Sequence, residues 1–410
     1  MTAFSTLLTA SGLIPALLIV LLALGSARLF VSKKQIPMNH EFASVDGLRG
    51  FLAIGVFIHH AIFWISFAKN QNWTFTMGRL YYNLGRNSVN LFFMLTGFLF
   101  TLKLLEARSR ELDWIKVYSS RLMRLTPLYL CVCLLMFVML AINSHFVARE
   151  SIEALVIEAR DWLLFTIPGR PDINAEPNSQ IFMAGVIWTL PYEWYFYLTL
   201  PLLGLIMGIR QRTNSGIWLT IAALAIVTYS SWHLDYMLLF NFLGGAIAAT
   251  AVRSPVTRST LIGRGANLVV IGCLVVSYAC FDTLTLSNLL ILTLALSVIA
   301  CGADVFGLLT SRAARGLSTI SYGIYLLHGV VIYVFMSYVM PGDVRSSLTL
   351  TQHWLYIFML TPILVLVASL SWRFIEAPAI RAAPRLAAWI RNVYERGESS
   401  NSLPKDASNS

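Results

Sequence analysis

Eleven apolar stretches, most of them near the ~20 residues a helix needs to cross a hydrocarbon core, leave this chain few folds to choose from. They predict helices at about 6–27, 47–68, 88–105, 121–143, 182–208, 216–232, 234–252, 267–281, 287–303, 317–340 and 352–375. The composition agrees, with 57% hydrophobic and only 12% charged residues, where a soluble protein carries ~25% charged. The expected fold class is all-α, a polytopic transmembrane helix bundle of about eleven helices.

A net charge of +10 could suggest a nucleic-acid partner, but its distribution says otherwise. With the N-terminus of the first helix outside and the spans alternating, only seven of the 30 basic residues fall on the outer side. These are Lys69, Arg79, Arg86, Arg149, Arg160, Arg170 and Arg345. Acidic residues split almost evenly, so the bias belongs to Lys and Arg and follows the positive-inside rule. The partner implied is the bilayer. No basic residue precedes the first apolar run, while Arg28, Lys33 and Lys34 follow it, so it is expected to stay as an anchor rather than be cleaved. The five cysteines all fall inside predicted helices and form no C-x-x-C pair, which argues against a disulfide framework.

Three sections follow: residues 1–40, the extra first helix and a cytoplasmic linker; 41–385, the membrane domain; and 386–410, a cytoplasmic tail expected to be disordered, Ser-rich beyond about 392. Most connections are short. The exception is the outer loop of about 144–181, too long for a simple connector and suited to binding or gating. Within it, residues 151–159 are apolar on one face and acidic on the other, as an interfacial helix would be. Pro168, Gly169, Pro171 and Pro177 then forbid regular helix.

Four clusters carry residues able to do chemistry. Arg49 and His60 are eleven positions apart on the second helix, about 20° from a common face and about 16.5 Å apart along the axis. One stripe thus holds a cation at the cytoplasmic edge and an imidazole near mid-bilayer, where ionisable groups usually face a polar cavity. His59 points about 100° away, as a structural histidine would. Arg121 and Arg124, at i and i+3, share a face and could grip phosphate oxygens in bidentate fashion. Trp188 and Tyr192 flank Glu193 at the expected outer end of the fifth helix, where aromatic faces could stack on sugar rings and the carboxylate accept from hydroxyls. Ser321, Tyr325 and His328 occupy i, i+4 and i+7, a polar face inside an apolar segment. For each there is a plainer role: interfacial snorkelling for the arginines, an aromatic belt around Glu193, and interhelical hydrogen bonding for the polar face. No His-x-x-x-His, Glu-x-x-His, phosphate-cradling Gly loop or G-x-S-x-G elbow is present, so no metal site is expected.

Taken in order, these motifs resemble the acyltransferase-3 family of bacterial membrane O-acyltransferases. The resemblance spans about residues 44–380. It includes Asp46-Gly47-Leu48-Arg49-Gly50 with His60, Asn90-Leu91-Phe92-Phe93-Met94-Leu95-Thr96-Gly97-Phe98-Leu99, and Arg121-x-x-Arg124 before Pro127-Leu128-Tyr129. It continues with Trp188-Thr189-Leu190 before Glu193, Ser321-Tyr322-Gly323-Ile324-Tyr325-Leu326-Leu327-His328, and Arg373-Phe374-Ile375-Glu376-x-Pro378. The resemblance implies a ten-helix core in an inner membrane, to which this chain adds one N-terminal helix. It implies a coenzyme A thioester donor, acetyl being commonest and succinyl an alternative, with no permanently bound cofactor. The implied acceptor is a glycan such as lipopolysaccharide O-antigen, exopolysaccharide or peptidoglycan. It also implies functional roles for Arg49, His60, Arg121 and Arg124. Pro191-Tyr192 before Glu193 departs from the family's usual Ser-Val-Glu type sequence.

The expected site therefore has His60, Arg49 and Glu193 as catalytic residues, and Arg121, Arg124, Trp188, Tyr192, Tyr325 and His328 as substrate-binding ones. His60 would act as general base or accept the acyl group itself. The rival reading is a transporter or flippase for a glycan or lipid-linked substrate, in which the same polar groups line a path. The acyl group, the acceptor hydroxyl and the oligomeric state stay open.

Overall fold

The structure, a computed structural model, describes residues 13–36, 41–70, 73–75, 78–107, 111–209, 221–222, 225, 235–263 and 265–401. Among these no strand forms, and the chain is an all-α, multi-pass helical membrane bundle. Its long helices are α1 (Ile14–Phe30), α2 (Ala43–Asn70), α3 (Arg79–Ala107), α4 (Trp114–Asn143), α6 (Thr189–Ile206) and α7 (Tyr236–Arg253). They continue with α9 (Ala266–Cys280), α10 (Leu286–Cys301), α12 (Ser321–Val334), α14 (Leu350–Ser371) and α15 (Ala377–Asn401). Shorter helices are α5 (Ile152–Leu163), α8 (Pro255–Leu261), α11 (Arg312–Thr319) and α13 (Gly342–Ser346).

Six described helices are long and apolar enough to span a bilayer, or seven if the bent pair α8 and α9 is one span; α1 and α10 are shorter apolar helices. Ten of the eleven predicted helices thus have a counterpart. The one expected at 216–232 lies almost wholly outside the described residues. Leu17, Leu21, Leu134, Val138, Leu355 and Met359 are exposed on the bundle's outside, as suits side chains whose solvent is lipid.

Alternation of the helices defines two ends. At the basic end, Arg253 pairs with Glu106, and Arg391 on α15 meets Asp113 at the start of α4, 2.5 Å away. At the loop end, Arg79 donates to the Cys280 carbonyl and Asn143 to the Tyr333 hydroxyl. Between α3, α9 and α10 a closed ring of hydrogen bonds runs through the apolar interior. Asn87 donates to Ser277 (3.0 Å), Ser277 to Asn288 (2.6 Å), and Asn288 back to Asn87 (2.9 Å). A buried amide left unpaired in hydrocarbon is costly, so this ring ties the three helices in one register.

Of the boundaries that differ from expectation, three have a clear local reason. The third helix starts at Arg79 rather than residue 88, because Tyr81, Asn83, Gly85 and Asn87 are buried against neighbouring helices and make a polar first half worth ordering. The fifth starts at Thr189 rather than 182. Ala184 and Gly185 take left-handed conformations (φ 51° and 70°), breaking the stretch into 3-10 turns at Ser179–Met183 and Val186–Trp188. Gly329 on α12 lets this broken segment approach: a Cβ there would lie 2.4 Å from the Met183 carbonyl carbon. Finally, the chain from 386 to 401, expected to be disordered, continues as α15. Alanines at 382, 383, 387 and 388 favour helix, and the Arg391–Asp113 pair fastens it to α4.

Candidate active site

The helix α2 places its titratable residues inward. Arg49 lies nearly two turns into the helix and pairs with Asp46 at 3.3 Å, an i,i+3 contact. It opens into a cavity of about 280 Å³ at the basic end, lined also by Arg121, Arg124, Thr189, Glu193, Tyr197, Tyr322 and Tyr325. Arg121 lies over the Phe100 ring, 5.0 Å from its centroid. Among the described residues neither Arg121 nor Arg124 has a carboxylate within 4 Å. Glu376, held by a 3.0 Å hydrogen bond from Ser371 at a π-turn, lies near Arg124 but beyond ion-pair distance. Two guanidiniums in a cleft within the bundle, with their forks unfilled among the described residues, have the charge and planar geometry to accept an anion such as a phosphate.

His60 lines a second cavity, of about 270 Å³, toward the loop end. Phe63, Trp73, Tyr82, Arg86, Val89, Gln180, Gly185, Val186, Trp188 and Tyr325 surround it. Tyr325 and Val89 line both cavities and form the partition between them. The Tyr325 hydroxyl is fixed by Thr189 (2.9 Å) and the Val186 carbonyl (3.0 Å).

Hydrogen bonding sets the tautomer of His60. Its Nδ1 lies 2.9 Å from the Val56 carbonyl, which can only accept, so Nδ1 carries the proton. His328 is fully buried behind it, with Nδ1 donating to the Ile324 carbonyl (3.1 Å). The remaining nitrogen of His328, Nε2, then faces His60 Nδ1 at 3.2 Å as a second acceptor. In the neutral ring this leaves the His60 Nε2 lone pair without a protein partner among the described residues, on a half-buried residue lining the cavity. That is the disposition a general base requires. His59 also lines this cavity, but it is buried, donates Nδ1–H to the Tyr81 carbonyl and stacks on Phe75.

The expected residues divide. Arg49, Arg121, Arg124, Glu193 and Tyr325 meet in the arginine cavity; His60, Trp188 and Tyr325 in the histidine cavity. Glu193 was expected on the outer side, among the aromatics. It lies instead with the arginines, accepting 2.6 Å from Tyr197, because the later helix start puts it a full turn inside α6. Tyr192 faces neither cavity: its hydroxyl accepts from the Asp235 amide at 3.1 Å and its ring packs on Phe93. His328 lines neither cavity and touches His60 instead. Arg86 carried no assignment from sequence beyond outer-side charge. Its signal was Tyr82-x-x-x-Arg86, an i,i+4 pair of ring and cation, hidden because the helix was expected to begin later. No group of three His, Cys, Asp or Glu side chains converges among the described residues.

A bundle with an anion cleft at one end and an imidazole base in an adjoining chamber has the parts for moving a group from a charged carrier to a hydroxyl. The family comparison agrees: a family model described as an acyltransferase domain matches residues 42–373, and the chain belongs to this acyltransferase-3 family. Among curated relatives, O-acetyltransferase OatA of Staphylococcus aureus (strain NCTC 8325 / PS 47) is 25% identical over 49% of this chain. The match covers only 30% of OatA's own length. Nodulation protein 10 of Rhizobium leguminosarum bv. viciae is 25% identical over 84% of this chain and 94% of its own. The putative peptidoglycan O-acetyltransferase YrhL of Bacillus subtilis (strain 168) is 26% identical over 83% of this chain and 55% of its own. No solved structure matches.

Proposed function

We propose that this protein is a membrane O-acyltransferase that moves an acyl group, acetyl in the simplest case, from acyl-CoA to a hydroxyl of a cell-envelope or exported glycan. The observation that carries this reading is the His60 Nε2, without a protein partner among the described residues, in a chamber that shares its Tyr325 and Val89 walls with a cleft where Arg121 and Arg124 have no carboxylate partner among those residues. The two acetyltransferase names among the relatives support the acyl chemistry.

Donor phosphates rest on Arg121 and Arg124, with Arg49 beside them, in a cleft open to the cytoplasm of a bacterial inner membrane. The N-terminus then lies outside and the C-terminus in the cytoplasm. The thioester extends to the Tyr325 partition. In the second chamber His60 Nε2 takes the proton of the acceptor hydroxyl as its oxygen bonds to the carbonyl carbon. The C–S bond then breaks, and coenzyme A leaves as thiolate and recovers the proton from His60. Glycan ester and free thiol result. The His60–His328–Val56 contacts hold the ring through this cycle, and such proton transfer contributes roughly 10²–10⁴-fold.

The test is purified protein with labelled acetyl-CoA and extracted envelope glycan. Release of free coenzyme A should depend on the acceptor, and label should appear as base-labile ester. Glycan moved across proteoliposomes with no thioester cleavage would instead make the protein a transporter.

A further inference from the structure

Arg86 has no place in the mechanism above. It lies within α3, half-buried, in the histidine chamber. Its guanidinium sits 5.6 Å from the centroid of Tyr82 and 5.7 Å from that of Trp188. Those faces hold the planar fork by cation–π attraction but use none of its N–H donors. Among the described residues no carboxylate comes within 4 Å of it and none of its donors is hydrogen-bonded. The guanidinium shares this chamber with the His59 and His60 rings. Such a cation inside a membrane bundle is costly unless an anion joins it.

The walls describe the rest of the ligand. Phe63 stacks on Trp73 at 5.2 Å, and with Trp188 and Tyr82 they offer apolar faces of the sort that pack on sugar C–H surfaces. About 270 Å³ is at the foot of the ~300–1,000 Å³ range of ligand pockets, suited to one ring rather than an oligosaccharide. The arginine cavity has three guanidiniums, this one has one. One planar fork matches one carboxylate in charge and bidentate geometry.

We infer that Arg86 and the aromatic walls form an acceptor subsite for a sugar ring bearing a carboxylate, close to the hydroxyl that is acylated. This rests on the reading of the chamber as the acceptor's. Binding to the full-length protein in detergent tests it, by saturation-transfer NMR titration with methyl β-D-glucuronide, methyl β-D-glucoside and glucose 1-phosphate. The glucuronide should bind about tenfold tighter than the glucoside. Arg86→Gln should bring the two within about twofold while leaving the glucoside's affinity unchanged, which also shows that the chamber is folded; Arg86→Lys should retain part of the preference. Equal or absent binding of the two sugars to the wild type, or an undiminished preference in Arg86→Gln, overturns the inference. Tighter binding of glucose 1-phosphate than of the glucuronide overturns the carboxylate assignment. His60→Ala should keep the glucuronide preference and lose transfer. If it keeps both, the acyl-transfer reading fails and the carboxylate subsite stands.

Discussion

The arginine chamber and the histidine chamber share two wall residues and little else. One gathers Arg49, Arg121 and Arg124 around Glu193 and Tyr197; the other sets two imidazoles, His59 and His60, and one guanidinium among aromatic rings. Similar volumes with such different linings mean that charge, not space, distinguishes what each can hold. On the proposed reading a polyanionic carrier takes the first and a sugar ring with at most a single negative charge takes the second. The reacting groups can then meet only at the Tyr325 partition. Such a division of labour within one bundle would let a polyanionic carrier and a ring of lower charge approach His60 from two sides.

Four perturbations would break or sharpen the contrast. The largest effect is expected from His60→Ala. Transfer should fall by roughly 10²–10⁴-fold with donor affinity unchanged, measured by single-turnover assay and by acetyl-CoA binding; loss of donor binding instead would erase the distinction between chambers. Arg124→Ala should act in the opposite sense. It removes charge-assisted hydrogen bonds of ~1.5–3 kcal/mol, weakening acetyl-CoA by about 10- to 150-fold, while glycan affinity stays as it was. His328→Ala removes one of two acceptors on His60 Nδ1 and leaves the Val56 carbonyl. A loss of about 1 kcal/mol, about fivefold in kcat with both KM values unmoved, is expected, and His328→Gln, whose amide oxygen can accept, should restore most of it. The smallest effect lies away from both chambers. Asn288→Ala opens the α3–α9–α10 ring and should cost ~0.6–1.7 kcal/mol of stability, read by thermal unfolding, with kinetic constants unaltered.

How much of this was legible in the sequence depends on what each residue's placement requires. Arg49 and His60 were placed by helical periodicity alone, and the structure turns both inward as the 20° offset implies. Arg121 and Arg124 were likewise readable from spacing, because all that mattered was that one continuous helix, α4, carries them. The failures share a cause. Glu193 and Arg86 escape a reading from sequence because hydropathy locates the middle of a span and not its end. The fifth helix begins late, where left-handed Ala184 and Gly185 stop it, and the third begins early, on a polar half that a hydrophobicity criterion skips. The His60–His328 contact was beyond periodicity altogether. It joins residues 268 positions apart, and only the packing of α2 against α12 brings the rings together. Tyr192 misleads because an aromatic cluster near a carboxylate looks the same in sequence whether a member lines a cavity, as Trp188 does, or caps the start of α7, as Tyr192 does.

A structure of the full protein with a non-hydrolysable acyl-CoA analogue bears most directly on the central claim. The account expects the analogue's phosphates on Arg121 and Arg124 and its acyl carbon at Tyr325, facing the Nε2 of His60. Phosphates held elsewhere, or an acyl end that leaves the partition and points into lipid, would contradict it.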